Sequence, residues 1–307
     1  MYIFRQNDTI PWEGCVATVG FFDGVHAGHR FLIAELHKIA QQNHLNSLVI
    51  TFDKHPRKVL QTDFQPKLLT TLSEKIEQLS TTDADSCYVL DFTPKFAQLT
   101  AYEFIKIILA EKLKVKILLV GHDHRFGRNR EQNFEDYVKI GEELGITVIE
   151  ASQFVQPNNI HISSSAVRRA LEEGDVDKAN EILTYHYTFS GKVIKGNQLG
   201  RNLGFPTANI HINDKDKIIP KLGVYGVYAY INHERFCGMM NIGVRPTIEL
   251  HKDIKIEVNI FDFDEDIYNK DIKIEVVKYI REEKRFKNLI ELKEQLQNDK
   301  EFIRTIL

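Results

Sequence analysis

The sequence predicts an α/β domain built on a parallel sheet, followed by a small antiparallel β-barrel that ends in a helix. Its 307 residues exceed the size at which single hydrophobic cores usually stop growing, which favours two domains. Short β-branched segments alternate with amphipathic stretches in the first half, whereas strand-like segments separated by Gly, Pro and Asn fill the second. This change near 184–188 predicts domains at 1–184 and 185–307.

In the first half, the alternation is typical of strands joined by crossover helices. Thr100 and Glu103 have the spacing of a capping box, which predicts a helix start. Serines at its front and Gly174 at its end predict a helix over 163–174, and a further short helix is expected over 175–185. The predicted strands are 16–20, 47–52, 87–92, 116–121 and 146–151.

In the second half, the strand-like segments are close together, as in an antiparallel sheet or barrel. Apolar residues at helical spacing predict a closing helix over 287–307. The predicted strands are 187–194, 223–231, 235–243, 254–263 and 271–280.

Composition limits the classes of function. The hydrophobic fraction of 43% and charged fraction of 27% are typical of a soluble protein, and no apolar run reaches the roughly 18–20 residues of a membrane span. The first residues lack a secretion signal, so a cytoplasmic location without membrane contact is expected. Three scattered cysteines argue against disulfides and a cysteine zinc site. A net charge of −3 argues against nucleic-acid binding and favours small ligands.

His26 and His29 lie three residues apart where a strand gives way to a helix. A helix N-terminus binds phosphate through its N–H groups and dipole, and imidazoles can donate hydrogen bonds to developing negative charge. Gly24 and Gly28 let backbone approach a ligand. The alternatives are that the histidines are surface or capping residues, or two metal ligands.

Two further segments favour the phosphate interpretation, because a doubly wound sheet gathers such loops in one crevice. Residues 121–127 directly follow a predicted strand. In 162–169, Ser163 and Ser164 begin a helix and Arg168 lies about one turn later, a geometry suited to phosphate oxygens. Alternatively, the serines are only N-caps and the arginine is solvated.

The second half has no Walker A sequence, but it has glycines at four-residue intervals at 196, 200 and 204. These could be simple barrel turns. Thr207 and Asn209 alternate on an extended segment, so their oxygens face one side and could hold Mg²⁺ with ATP phosphates. Glu257 is a candidate proton acceptor for phosphoryl transfer, although it shares with Lys255 and Asn259 a strand face that could equally be solvated.

Several motifs together carry a family resemblance. They are GVHAGH at 24–29, TFDKHP at 51–56, GHDHRFG at 121–127, ISSS at 162–165 with Val167 and Arg168, and GNQLGRNLGFPTAN at 196–209, followed by segments around 241–247 and 256–263. In this order they resemble the bacterial bifunctional riboflavin kinase/FMN adenylyltransferases, also called FAD synthetases.

The resemblance implies a Rossmann-like nucleotidyltransferase domain that makes FAD from FMN and ATP, and a kinase domain that makes FMN from riboflavin and ATP. Both use Mg²⁺. It implies that His26 and His29 act in adenylation and that Glu257 is the kinase base. ATP would contact Gly20, Asp23, Gly24, Gly28, Ser163, Ser164 and Arg168 in the first domain. FMN would contact Phe52, His55, Pro56, Asp123 and Phe126. In the kinase, ATP would contact Gly196, Gly200, Arg201, Gly204 and Phe205, and Thr207 and Asn209 would hold the metal.

This sequence departs from the family pattern at Phe21, Lys54 and Gln132, which affects details of the flavin pocket. Asn269 replaces a common glycine, but asparagine tolerates left-handed backbone. One rival function is transfer of AMP or CMP to a different phosphate, which leaves the second half unexplained. Another is a non-catalytic flavin or nucleotide sensor, which need not keep the reacting groups. The sequence carries no signal for an oligomeric state.

Overall fold

The computed structural model describes residues 1–61, 67–121, 126–128, 132–154, 161–196, 200, 203–244 and 254–307. Contacts divide the chain into two compact units. The first comprises Met1–Pro66 and Lys75–Ile162, and the second comprises Lys67–Glu74 and Ser163–Leu307. The functional boundary between residues 184 and 185 stays a prediction.

The first unit contains a six-stranded parallel sheet, which confirms the predicted fold class. Its strand order is β1-β4-β3-β2-β5-β6. Five strands correspond to predicted segments, and β1 is an additional short edge strand. The strands are β1 (Tyr2–Phe4), β2 (Cys15–Val19), β3 (Asn46–Phe52), β4 (Ser86–Leu90), β5 (Val115–Val120) and β6 (Thr147–Glu150).

Helices connect these strands, and capping residues in the sequence indicate where several helices begin. The predicted capping box is present: the Glu103 N–H donates to the Thr100 hydroxyl, and the Thr100 N–H donates to the Glu103 carboxylate. Asn133 and Asp136 form a second box. The helices are α1 (Ala27–Gln42), α2 (Pro56–Leu60), α3 (Leu72–Ser80, with residues in both units), a 3₁₀ turn (Phe96–Gln98), α4 (Ala101–Glu103), a π-helix (Phe104–Lys112) and α5 (Phe134–Leu144).

The strand order sets the position of the crevice. β3 and β4 lie on one side of β2, whereas β5 and β6 lie on the other. In open parallel sheets, ligands bind beyond the carboxyl ends of the strands at such a reversal. Strands β2 and β4 are buried along their whole length, as expected for a parallel sheet covered on both faces. The loops after β2, β3 and β5 are therefore the candidate ligand-binding loops.

The second unit contains helices α6 (Ser164–Glu173) and α7 (Val176–Leu183) and a closed antiparallel barrel in the order β10-β11-β8-β7-β12-β9. The predicted barrel and closing helix are confirmed. Asn269 has a φ of 62°, the left-handed conformation that asparagine tolerates. The elements are β7 (Tyr187–Ile194), β8 (Ala208–His211), β9 (Gly223–Ile231), β10 (Glu234–Val244), β11 (Ile254–Ile260), β12 (Asp271–Arg281) and α8 (Leu289–Ile306).

Two kinds of contact stabilise this second unit. A small apolar cluster includes Met239 of the barrel and Ile303 of α8. Segment 67–74 contributes a buried ion pair, in which the Lys217 ammonium lies 2.7 Å from the Glu74 carboxylate. The same ammonium donates to the Leu69 carbonyl at 2.6 Å and the Thr188 carbonyl at 2.7 Å. Both charges are therefore satisfied by hydrogen bonds inside the unit.

None of the helices in the described part of the chain is long and apolar enough to cross a membrane.

Candidate active sites

The loop between β2 and α1 brings both predicted histidines to the start of α1. His26 is the N-cap of this helix, and its Nδ1 accepts a hydrogen bond from the His29 N–H at 3.3 Å. The two rings stack with their centroids 3.6 Å apart. His26 therefore caps the helix as the alternative interpretation proposed, and in doing so it fixes both imidazoles at a helix N-terminus suited to phosphate.

The same loop has an unusual backbone. Phe22 and Val25 have φ values of 54° and 39°, in the left-handed region that β-branched and bulky residues avoid. Gly24, at a φ of 78°, takes this conformation without strain. A Cβ at Gly20 would lie 2.8 Å from the Phe22 ring. Asp23 is buried within this loop. Such strain clusters at ligand-binding sites, at a cost of about 1–3 kcal/mol per residue.

An aromatic cavity of about 350 Å³ lies in the first unit. Of the residues expected to contact FMN, Phe52, Pro56 and Phe126 line it. His55 packs edge-on against Phe21, which also lines it, at 4.8 Å between ring centroids. Asp123 lies outside the described residues. The lining residues Phe92, Phe96, Leu99 and Phe104 were not predicted from the sequence.

Lys75 of α3 was also missed. Its side chain is buried, and Nζ donates hydrogen bonds to the carbonyls of Phe21 at 3.1 Å and Phe52 at 2.8 Å. Burial lowers the pKa of Lys75 to about 8, although Asp23 and Asp53 oppose this shift. A lysine in an amphipathic pattern is ordinarily solvated, so the spacing of residues in the sequence does not predict that Lys75 is buried.

The predicted phosphate-binding residues of α6 belong to the second unit. Ser163 is the N-cap, and its hydroxyl accepts a hydrogen bond from the Ala166 N–H at 3.2 Å. Ser164 is the first helical residue. Arg168 donates through Nε to the Lys67 carbonyl at 2.6 Å. The convergence of these residues with the two histidines stays a prediction.

In the barrel, the predicted base and metal-ligating residues lie on neighbouring strands. Glu257 of β11 pairs with Asn209 of β8 in the antiparallel register. The Thr207 hydroxyl, just before β8, donates to the Glu257 carboxylate at 3.4 Å. The Lys255 ammonium lies 2.8 Å from the same carboxylate. The three predicted residues thus form one cluster.

Two cavities meet at this cluster. One, of about 360 Å³, is lined by Glu257 and Asn259 together with the apolar side chains of Phe205, Met239, Phe286 and Leu296. The other, of about 490 Å³, is lined by Val193, Ala208, Val258 and Tyr268 and by the acidic residues Asp264, Glu265 and Asp266. Thr207 lines both cavities. The face that carries Glu257 is therefore a cavity wall rather than a simple solvated surface.

The predicted glycines of this region lie close to the cluster. A Cβ on Gly196 would lie 2.1 Å from the Asn209 amide, and one on Gly200 would lie 2.3 Å from the Phe205 carbonyl oxygen. Gly204 has a φ of 82°. Larger residues at the first two positions would displace Asn209 or Phe205, so these glycines do more than form turns. Arg201 lies outside the described residues.

The donors of this cluster fit magnesium. Thr207 and Asn209 offer hydroxyl and amide oxygens, the hard ligands that Mg²⁺ accepts alongside phosphates and water. Among the residues that the structure describes, no group of three or more His, Cys, Asp or Glu side chains could hold a metal ion. A magnesium site in the barrel would thus need neutral oxygen ligands and oxygens of the bound nucleotide.

Comparison with known proteins identifies the family to which each half of the chain is similar. The family model described as FAD synthetase matches residues 8–166, and the riboflavin kinase model matches residues 183–307. The chain belongs to the bifunctional riboflavin kinase/FMN adenylyltransferases. The relative from Escherichia coli (strain K12) is 38% identical over 94% of this chain and 91% of its own. The relative from Listeria monocytogenes is also 38% identical, over 98% of this chain and 96% of its own.

A solved structure has the same fold. The crystal structure described as a macrolide-efflux protein from Streptococcus pneumoniae is 29% identical, with a TM-score of 0.87, and covers 99% of both chains. The word efflux in that description refers to the Streptococcus pneumoniae protein. The place of this chain among the riboflavin kinase/FMN adenylyltransferases rests on the two family models and on relatives of higher identity.

Proposed function

We propose that this chain makes FAD from riboflavin in two ATP-dependent steps. Its C-terminal part phosphorylates riboflavin to FMN, and its N-terminal part transfers AMP from ATP to FMN and releases pyrophosphate. The observation that carries this proposal is the order of the two family matches along one chain, each over a region with its own candidate site. Residues 1–184 and 185–307 are the proposed functional domains.

For adenylation, the nucleotide phosphates bind at the N-terminus of α1. Backbone N–H groups near Gly28 and the two imidazoles donate hydrogen bonds to the α-phosphate oxygens. An oxygen of the FMN phosphate attacks the α-phosphorus in line, and the bond from that phosphorus to the pyrophosphate oxygen breaks. Catalysis then comes from positioning and charge stabilisation, without a covalent enzyme intermediate. ATP contacts are proposed for Gly20, Asp23, Gly24, Gly28, Ser163, Ser164 and Arg168.

The flavin ring of FMN occupies the aromatic cavity of the first unit. Its volume of about 350 Å³ and its phenylalanine lining suit a flat aromatic ring system. Phe52, Pro56 and Phe126 are its proposed walls, and His55, which packs against Phe21 of the lining, is also proposed to contact FMN. Phe21, where the sequence departs from the family pattern, lines the same cavity. We expect this phenylalanine to change the shape of the cavity.

For phosphorylation, riboflavin occupies the 360 Å³ cavity and ATP occupies the 490 Å³ cavity. Thr207 lines both, which supports transfer at this point. The Glu257 carboxylate takes the proton of the ribityl 5′-hydroxyl, whose oxygen forms the new bond to the γ-phosphorus while the bond to ADP breaks. Thr207 and Asn209 would hold Mg²⁺, which neutralises phosphate charge when bound. The acidic residues that line this cavity repel a magnesium-bound nucleotide less than a bare triphosphate, because the metal reduces the negative charge.

A direct assay tests this proposal. Purified protein is incubated with riboflavin, ATP and Mg²⁺, and flavins are separated by chromatography over time. We expect FMN first and FAD later, and FAD alone from added FMN. Binding without any product would favour the sensor function, whereas AMP transfer to another phosphate would favour the rival transferase. Chelation with EDTA should stop both steps, and added Mg²⁺ should restore them.

We further propose that the chain acts in the cytoplasm on small molecules, without nucleic-acid or membrane partners. The sequence composition supports this part of the proposal.

A further inference from the structure

Lys75 occupies an unusual position at the carboxyl edge of the parallel sheet. Its side chain comes from α3, yet Nζ donates to the carbonyls of Phe21, just after β2, and Phe52, the last residue of β3. Nζ also lies 4.0 Å from the centroid of the Phe21 ring. Only 2% of the residue is exposed. Long charged side chains are almost never buried to this extent unless they are paired.

The two carbonyl groups belong to residues with a shared role. Phe21 follows β2 and Phe52 ends β3, and both residues line the aromatic cavity proposed for the flavin. The Thr51 hydroxyl also donates to the Phe21 carbonyl, at 3.1 Å. Lys75 therefore connects two walls of the cavity through their backbones. A shift of either strand end would change the width of the cavity.

The charge on Lys75 also lies close to the loop between β2 and α1, where the nucleotide phosphates are proposed to bind. Asp23 of that loop, Asp53 after β3 and Cys87 of β4 are its titratable neighbours. The Asp53 carboxylate accepts a hydrogen bond from the Phe92 N–H and lies 3.9 Å from the Lys54 ammonium. Burial raises the pKa of Cys87 to about 12, so this thiol is neutral near pH 8. Two carboxylates thus favour the charged form of Lys75, against burial.

We propose that Lys75 is a positioning residue for adenylyl transfer: it holds the ends of β2 and β3 at the spacing that FMN needs and places a positive charge beneath the phosphate-binding loop. This inference rests on the proposed function of the first unit. Lys75 touches no reacting atom, so its effect should act through FMN placement and the local charge.

Three variants test this positioning role. Lys75→Met removes the charge and both hydrogen bonds, and misplaced walls should lower kcat/KM for FMN in FAD formation by roughly 10²-fold. Lys75→Arg keeps the charge and the donors and should recover most of that loss. Lys112→Met is the matched control, because Lys112 also donates to a backbone carbonyl, that of Gln6, but at an exposed site. Riboflavin phosphorylation by the same samples should change less than about twofold.

The pH profile is a readout that a purely structural role would not move. Because burial lowers the pKa of Lys75 to about 8, the wild-type kcat/KM should fall above pH 8, by up to roughly tenfold at pH 9. Arginine stays charged, so the ratio of Lys75→Arg to wild-type kcat/KM should rise over this range. The Lys112→Met ratio should stay flat, because ATP and FMN titrate equally in all samples.

The outcomes distinguish failure of the proposed FAD synthesis from failure of the proposed role of Lys75. If wild-type protein makes no FAD from FMN, the proposed function itself fails. If it makes FAD and Lys75→Met matches wild type in kcat/KM, or Lys75→Arg shows the wild-type pH profile, the inference is overturned. Thermal melting accompanies each measurement. If Lys75→Met does not fold, the pH profile of Lys75→Arg decides the question.

Discussion

Replacing Glu257 with glutamine should stop riboflavin phosphorylation with little effect on the barrel. Glutamine keeps the size of the side chain but cannot take the proton of the ribityl hydroxyl. General-base catalysis typically contributes about 10²–10⁴ in rate, which corresponds to about 3–5 kcal/mol of activation free energy. The rate of FMN formation from riboflavin should fall by that factor.

The structure indicates a much smaller loss of stability. The Lys255 and Glu257 side chains are 33% and 26% exposed, and ion pairs this accessible contribute about 0.2–1 kcal/mol. The hydrogen bond from Thr207 to the carboxylate is long, at 3.4 Å, and therefore weak. The melting temperature should thus fall by only a few degrees. A rate loss of about 3–5 kcal/mol is too large to come from unfolding of this size.

Lys255→Met is the matched control, because it breaks the same ion pair but leaves the carboxylate. Both variants and wild type are assayed for FMN formation from riboflavin and for FAD formation from FMN, with melting curves alongside. Lys255→Met should lose less than about tenfold in FMN formation, and all three should make FAD from FMN. The reasoning is refuted if folded Glu257→Gln phosphorylates riboflavin at the wild-type rate, or if Lys255→Met loses as much as Glu257→Gln.

Three further predictions concern other parts of the chain. His29→Ala should slow FAD formation from FMN by about 10²–10³ and leave FMN formation nearly intact; unchanged adenylation would show that this histidine is only structural. Arg168→Ala should raise the ATP concentration needed for adenylation, and an unaltered ATP dependence would remove it from the site. Lys217→Met should lower the free energy of unfolding in urea, followed by circular dichroism, by about 3–5 kcal/mol, because it leaves the buried Glu74 carboxylate without its charged partner. Adding Glu74→Gln should restore part of that loss, and full additivity would contradict the pairing.

Local signals in the sequence predicted much of the fold. Hydrophobic segments of strand length predicted β7 and β9 with the same first and last residues as in the structure. The capping box at Thr100 correctly predicted a helix start. β1 was missed because a three-residue edge strand with an exposed Tyr2 has no buried pattern to detect. β8 was recognised as extended around Thr207 and Asn209 but not as a strand, since four residues beside a glycine-rich segment are typical of a loop.

The candidate sites were less accessible to sequence reasoning. Motifs predicted the residues proposed to take part in the chemistry, such as His29 and Glu257, because that chemistry requires particular residue types. Phe96 and Phe104 were missed, since an aromatic residue has the same pattern whether it packs in a core or lines a cavity. Lys75 was missed for a related reason: only tertiary packing turns a lysine on a helix into a buried bridge between two strands.

The left-handed backbone at Phe22 and Val25 has a consequence for attempts to make this protein more heat-resistant. Glycine or asparagine at Val25 would relieve the strain, but glycine would also remove a fully buried side chain and allow the loop more conformations. Selection for thermal tolerance alone would thus tend to accept substitutions here that relax the loop while the histidines lose their fixed orientation. In a stability screen, variants of these two positions should be ranked by FAD production rather than by melting temperature.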